Sequence, residues 1–189
     1  MVTMTGMRTI LLIFTLLFIA SCETTTAYKN WSALYAIPVG SKVILNEDLS
    51  IRPRHTQAFI QDGKQAYQRS FFKGYDQYYP FCYFEVHDVV DREQTIDPDT
   101  FNITRVSREQ TDIVQVDPAQ YRGLSAGDDD GGPPYIVDLN IMWLESASQP
   151  NVKKLACASG FDDPFDARLP TIEEIQHALG QVASLVLAK

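Results

Sequence analysis

The sequence predicts a mainly β domain, a small sandwich or partly closed barrel of about seven or eight short strands with one C-terminal helix. Three observations point there. Short runs rich in β-branched and aromatic residues recur from Val39 onward, Gly, Pro, Asn and Asp punctuate them, and one good helix signal occurs, near the end.

Taken in order, Pro38-Val39-Gly40-Ser41 punctuates before Lys42-Val43-Ile44-Leu45-Asn46, a β-branched and apolar strand. The polar turn Asn46-Glu47-Asp48 separates it from Leu49-Ser50-Ile51, which Pro53 closes. Gln57-Ala58-Phe59-Ile60 runs into Asp62-Gly63, a tight hairpin-turn signal. Tyr78 to Val90 is the strongest strand pattern, with Cys82, Phe84 and Val86 on a core face and Tyr83, Glu85 and His87 opposite. Thr100 to Val106 and Thr111 to Val116 are expected to form a hairpin around the polar Ser107-Arg108-Glu109-Gln110.

Gly123 to Pro134, centred on Gly127-Asp128-Asp129-Asp130-Gly131-Gly132, predicts a long mobile loop. Tyr135 to Leu144 reads as a strand with Tyr135, Val137, Leu139, Ile141 and Trp143 inward, and Val152 to Ala158 as another. Thr171 and Glu174 form a capping box, with Ile172, Ile175 and Leu179 at helical spacing behind it. Gly180 suits a helix C-terminus, and Val182 to Leu187 is expected to be a closing strand.

The N-terminus has a different character. Arg8 precedes an apolar run from Ile10 to Ala20, broken only by Thr15 and too short to span a bilayer. Met7 offers a more compact start for such a signal than Met1, because Val2 to Gly6 carry no charge. The run ends in Ile19-Ala20-Ser21-Cys22, which resembles the lipobox of bacterial lipoproteins. The resemblance implies a diacylglyceryl group on the Cys22 thiol, cleavage before it and an acylated new amino terminus. Three such chains would hold a protein on a membrane essentially permanently, at about 0.8 kcal/mol per buried methylene. In this family an aspartate after the cysteine often retains the protein in the inner membrane. Glu23 stands there instead, so outer-membrane delivery is expected, facing the periplasm or exposed at the surface.

The expected organisation is a signal peptide over 1–21, lipidated cysteine and tether over 22–36, and a single β-rich domain over 37–189. Extended at about 3.3 Å per residue, a tether of 10 to 15 residues reaches only about 50 Å, so the domain would work close to its membrane. Cleavage removes one charge, Arg8, and takes the formal charge from −8 to −9. That balance argues against nucleic-acid partners and broad contact with anionic lipid heads. If lipid consumes Cys22, the remaining cysteines, Cys82 and Cys157, form an even pair in an oxidising compartment. A disulfide between them is the leading expectation, and two buried thiols or a metal pair are the alternatives. For a loop of this length the chain-entropy model assigns about 4.5 kcal/mol.

The richest surface candidate is Tyr67 to Tyr83, eight aromatic residues interleaved with Lys64, Arg69 and Lys73. Amphipathic rings beside cations suit stacking on sugars, gripping a partner protein or resting at a bilayer interface. Arg69, Phe71, Phe72, Lys73 and Tyr75 are expected to carry a partner surface; the alternative is that these rings fill the core and edge of the domain. Asp128, Asp129 and Asp130 lack the ligand spacing of an EF-hand, and Asp162, Asp163 and Asp166 are read as a solvated loop. None of His55, His87 and His177 lies in a metal-binding pattern, and no nucleophile elbow or phosphate loop occurs.

No catalytic residue, metal or cofactor is therefore expected. Beyond its signal the chain resembles, in texture only, uncharacterised small envelope lipoproteins of Gram-negative bacteria. The expected function is a non-enzymatic, membrane-anchored binding or assembly module with an envelope protein or glycan as partner. The alternative is a carbohydrate- or peptidoglycan-active envelope enzyme with a site assembled from distant residues.

Overall fold

Ten strands and one helix are laid out along residues 36–66, 74–112 and 136–188, which the computed structural model describes. The compact unit that carries these elements begins at Ile37. In chain order the strands are β1 (Lys42–Leu45), β2 (Leu49–Ile51), β3 (Gln57–Gln61), β4 (Lys64–Ala66), β5 (Phe81–Val86), β6 (Gln94–Ile96), β7 (Asp99–Asp112), β8 (Ile136–Glu145) and β9 (Val152–Ala158). Helix α1 (Ile172–Leu179) and β10 (Ala183–Val186) complete the order. Eight strands form one antiparallel sheet in the order β10-β1-β7-β8-β9-β5-β3-β4, and β2 pairs with β6 in a separate ribbon. The protein is mainly β, a curled half-barrel with a single C-terminal helix.

The curl is visible in Phe84 and Phe101, whose ring centroids lie 6.0 Å apart. Their strands, β5 and β7, are three places apart in the sheet. At about 4.8 Å per strand, a flat sheet would hold them roughly 14 Å apart. The sheet instead wraps around one apolar core that includes Leu45, Ile60, Phe84, Phe101, Met142 and Leu155. Helix α1 packs against β3, β5 and β10, adding Ile175, Ala178 and Leu179 to that core. Leu49, Ile51 and Ile96 of the β2–β6 ribbon join the same core.

Local chemistry explains most elements. Asp62 (φ 51°) and Gly63 (φ 67°) both take left-handed backbone, the geometry of the tight two-residue hairpin that their identities predicted. The Gly63 N–H donates to the Ala178 carbonyl at 3.0 Å, and a Cβ on Gly180 would stand 2.4 Å from the Gly63 Cα. Two glycines thus let the β3–β4 turn meet the C-terminus of α1. The α1 N-terminus carries the full capping box: Thr171 Oγ1 accepts from the Glu174 N–H (3.1 Å), and Glu174 Oε2 accepts from the Thr171 N–H (2.8 Å).

Several expectations are corrected. Residues 100–106 and the beginning of the expected second strand at Thr111 belong to one continuous strand, β7, so Ser107 to Gln110 are not a turn. β7 carries a bulge at Thr104, where Ile103 faces Leu144 but Arg105 already faces Trp143. The extra residue switches which side chains face the core: Phe101 and Ile103 before it, Val106 after it. Beyond Val106 the strand continues with polar residues because its end outruns the core, which is what imitates a turn in the sequence. The strand expected over 78–90 is shorter, Phe81–Val86, because Tyr78 and Tyr79 lie in a turn.

In β8 Val137, Leu139, Ile141 and Trp143, expected inward, face a second apolar cluster instead, while Met142 and Leu144 of the opposite face enter the main core; Tyr135 lies outside the described residues. That second cluster covers the outer face of β3, β5, β8 and β9 with Phe59, Phe81, Tyr83, Leu139, Ile141 and Ala156. A sheet buried on both faces loses the clean polar–apolar alternation. Strands β4 and β6 were not anticipated; each has three residues and little apolar content.

Candidate partner surface

Asp76-Gln77-Tyr78-Tyr79-Pro80 leads into β5 at one end of the sheet, and its composition favours a turn. Asp76 Oδ1 accepts from the Tyr78 N–H at 3.0 Å, and the Tyr79 N–H donates to the Asp76 carbonyl at 3.3 Å. Gln61, the last residue of β3, clamps this turn from below. Its Oε1 accepts from the Asp76 N–H (2.7 Å), while its Nε2 donates to the Asp76 carbonyl (2.8 Å) and reaches the Pro80 carbonyl (3.2 Å).

The neighbouring segment after β9 locks the turn from the side. The Phe161 N–H donates to the Gln77 carbonyl at 2.8 Å. Gly160 has φ 114°, and a Cβ there would stand 2.6 Å from the Tyr78 carbonyl oxygen, so only glycine admits this approach. Tyr78 and Tyr79 are left 55% and 63% exposed on a fixed backbone. Phe165, on the turn that follows Phe161, is 96% exposed. Large rings held in solvent on a rigid frame lose little conformational entropy when a partner covers them.

Tyr75, expected on the partner surface, is half-buried against the outer cluster. Its ring stacks on Phe59 at 4.5 Å with 6° between planes and touches Phe81 at 4.6 Å. Arg69, Phe71, Phe72 and Lys73 lie outside the described residues, as do Cys22 and Asp128 to Asp130. Cys82 and Cys157 are disulfide-bonded across directly opposed positions of β5 and β9, wholly inside the main core. Tyr78 and Tyr79 fall within the aromatic stretch read as a surface candidate but outside the five residues expected to carry the partner surface, and Phe165 lies outside that stretch altogether. The double tyrosine between an Asp and a Pro was the local signal for two of them, whereas Phe165 shows nothing in sequence that separates it from a core ring.

The outer face of the sheet also carries a charged row. A bulge in β9 places both Lys153 and Lys154 opposite Glu85, at 2.7 and 3.2 Å. Burial works to raise the Glu85 carboxyl, but the lysines outweigh it and leave it below its usual range. The Arg105 guanidinium lies 4.1 Å from the centre of the Trp143 ring, with Lys153 and Lys154 farther off. Next to this row Tyr83 is kept a neutral phenol, its pKa pushed up by burial and then by the charges of Glu85 and Glu109.

The other polar groups considered from sequence serve structure. Ser159, whose flanking residues lack a nucleophile pattern, donates its Oγ–H to the Arg168 carbonyl, and the amides of His87 and Asp88, adjacent residues that could be weighed as a base and its orienter, are both held by Asn151. Among the described residues no three His, Cys, Asp or Glu side chains are grouped to hold a metal ion, and no helix is long and apolar enough to cross a membrane. No family model, curated protein or solved structure matches this chain.

Proposed function

We propose that this protein is a membrane-anchored binding or assembly module of the bacterial envelope, lipidated on Cys22 and docking its partner through Tyr78, Tyr79 and Phe165. The supporting observation is the pair of exposed tyrosines on a turn clamped by Gln61 and Gly160. Tyrosines of this kind are frequent anchors of interfaces, and truncating one such anchor costs about 2 kcal/mol or more of binding. The lipid reading rests on the lipobox resemblance. It would confine the partner to within a tether's reach of the membrane.

The test is photo-crosslinking in intact envelopes with the reactive group at Tyr79, compared with the same group at exposed Asn102 on β7. A discrete partner is expected from Tyr79 alone. Tyr78→Ala with Tyr79→Ala should cut its capture at least tenfold with little change in melting temperature. Equal capture from both positions, or undiminished capture by the double variant, rejects the surface. The anchor is tested separately: Cys22→Ala should abolish lipid labelling and accumulate uncut precursor, and normal processing of that variant would reject lipidation.

A further inference from the structure

At the opposite end of β3 and β5 from the tyrosine turn lies a pocket of about 220 Å³, between the turn that joins β2 to β3 and the connection that follows β5. We propose that this pocket binds a small organic monocarboxylate with an apolar face. It is independent of the aromatic surface described above.

Arg52 and Arg54, two guanidinium groups on a chain of net charge −8, line the pocket. Phe59, Ala66 and Val89 supply its apolar lining. Val89 is 64% exposed, so a ligand that covers it gains from the burial. Guanidinium groups match the planar fork of a carboxylate, and the adjoining apolar wall suits the carbon skeleton behind it.

The backbone at this wall is held in a costly conformation. Arg54 has φ 64°, the left-handed region that residues with side chains seldom enter. The Arg54 N–H donates to the Val90 carbonyl at 2.7 Å, and the His55 N–H to the Arg52 carbonyl at 3.1 Å. Outliers of this kind concentrate at ligand sites, and here the outlier is itself a pocket residue. Arg54 Nε also pairs with Asp91 at 2.8 Å, with both side chains largely in solvent. A pair so exposed is weak and can exchange for an incoming carboxylate.

Charge decides between carboxylate and phosphate. Asp91 sits beside Arg54, and Glu93 accepts a hydrogen bond from Ser50, another lining residue. Two carboxylates next to two guanidinium groups tolerate a monoanion better than a dianion. The monocarboxylate could belong to a sugar acid or to the C-terminus of a short peptide, and the two share this recognition chemistry.

The test uses the full-length protein in non-ionic detergent and saturation-transfer NMR. D-glucuronate and N-acetyl-D-alanyl-D-alanine are the two carboxylate probes, glucose and the dipeptide amide their neutral counterparts, and inorganic phosphate the competing anion. Saturable binding of either acid, about tenfold or more tighter than its neutral counterpart, is expected, and the acid that binds identifies the source. Arg54→Gln should weaken it about tenfold, the scale of one charge-assisted hydrogen bond. Val89→Asp, which places a negative charge on the exposed apolar wall, should do the same without touching either arginine. Failure of both acids to saturate, equal binding of the neutral compounds, phosphate binding as tightly as the acids, or binding that survives both substitutions overturns the proposal.

Discussion

Cys82 and Cys157 occupy facing positions on neighbouring strands with Cα atoms 4.1 Å apart, and both are fully buried. The bond closes a separation of 75 residues, so it removes a large loop entropy from the unfolded chain. Replacing both cysteines with alanine should lower the unfolding free energy by about 2–5 kcal/mol, read from denaturant midpoints. A loss below about 1 kcal/mol would mean that strand pairing alone holds the two positions. Counting cysteines was enough to suggest this pair, whereas residue type was not enough to sort the tyrosines. Tyr75, Tyr78 and Tyr79 are chemically alike and nearly adjacent, yet one stacks on Phe59 and two face solvent. Their fates depend on Phe59, Gln61 and Gly160, which are distant in sequence from at least part of the turn.

Among the elements, α1 was the easiest to read because its signal is contained within four residues. The Thr171–Glu174 box is reinforced by Arg168, whose guanidinium holds both Glu174 oxygens. Thr171→Ala should cost about 1 kcal/mol, and a change below a few tenths in the denaturant midpoint analysis would show that Arg168 and Glu174 hold the helix start unaided. β7 was hard to read for the opposite reason. Its bulge at Thr104 reverses the alternation midway, and its polar second half pairs with β8 outside the main core. β4 is equally silent in sequence, since besides its pairing with β3 it is held by the Gln65 side-chain amide, which bonds the Ser50 backbone of β2.

Across the whole molecule, acid should act through carboxylates that folding favours in their charged form. Asp99 accepts from Ser146, Ser148 and the Thr100 N–H, which lower its pKa from 3.8 to about 2. Glu174 is lowered by Arg168 and the helix cap, and Glu85 by its lysines despite burial. A depressed carboxyl contributes its stability fully above the unfolded pKa and loses it as pH falls through the folded value. The contribution of Asp99 should therefore hold from neutral pH to about 5 and fade between about 4 and 2. Other carboxylates repel one another in this acidic chain, so the informative measurement is a difference. Asp99→Asn should melt below the native protein at pH 6 and approach it near pH 2, and a gap independent of pH would exclude this origin.

The strands, tight turn and capped helix were legible because each rests on contacts a few residues long. Alternating side chains mark a strand with one wet face, Asp62-Gly63 tolerates left-handed backbone, and Thr171 needs only Glu174 to cap a helix. Curl, strand order and the second apolar face were not legible, because they depend on which distant segments meet. Nothing near Gly63 announces Gly180, and nothing near Gln61 announces the turn it clamps. The same holds for the candidate sites. Aromatic content points to Tyr67 to Tyr83 and, within it, to Arg69 through Tyr75, but exposure is a property of the packed sheet, and packing alone left Tyr78 and Tyr79 facing water and turned Tyr75 onto Phe59.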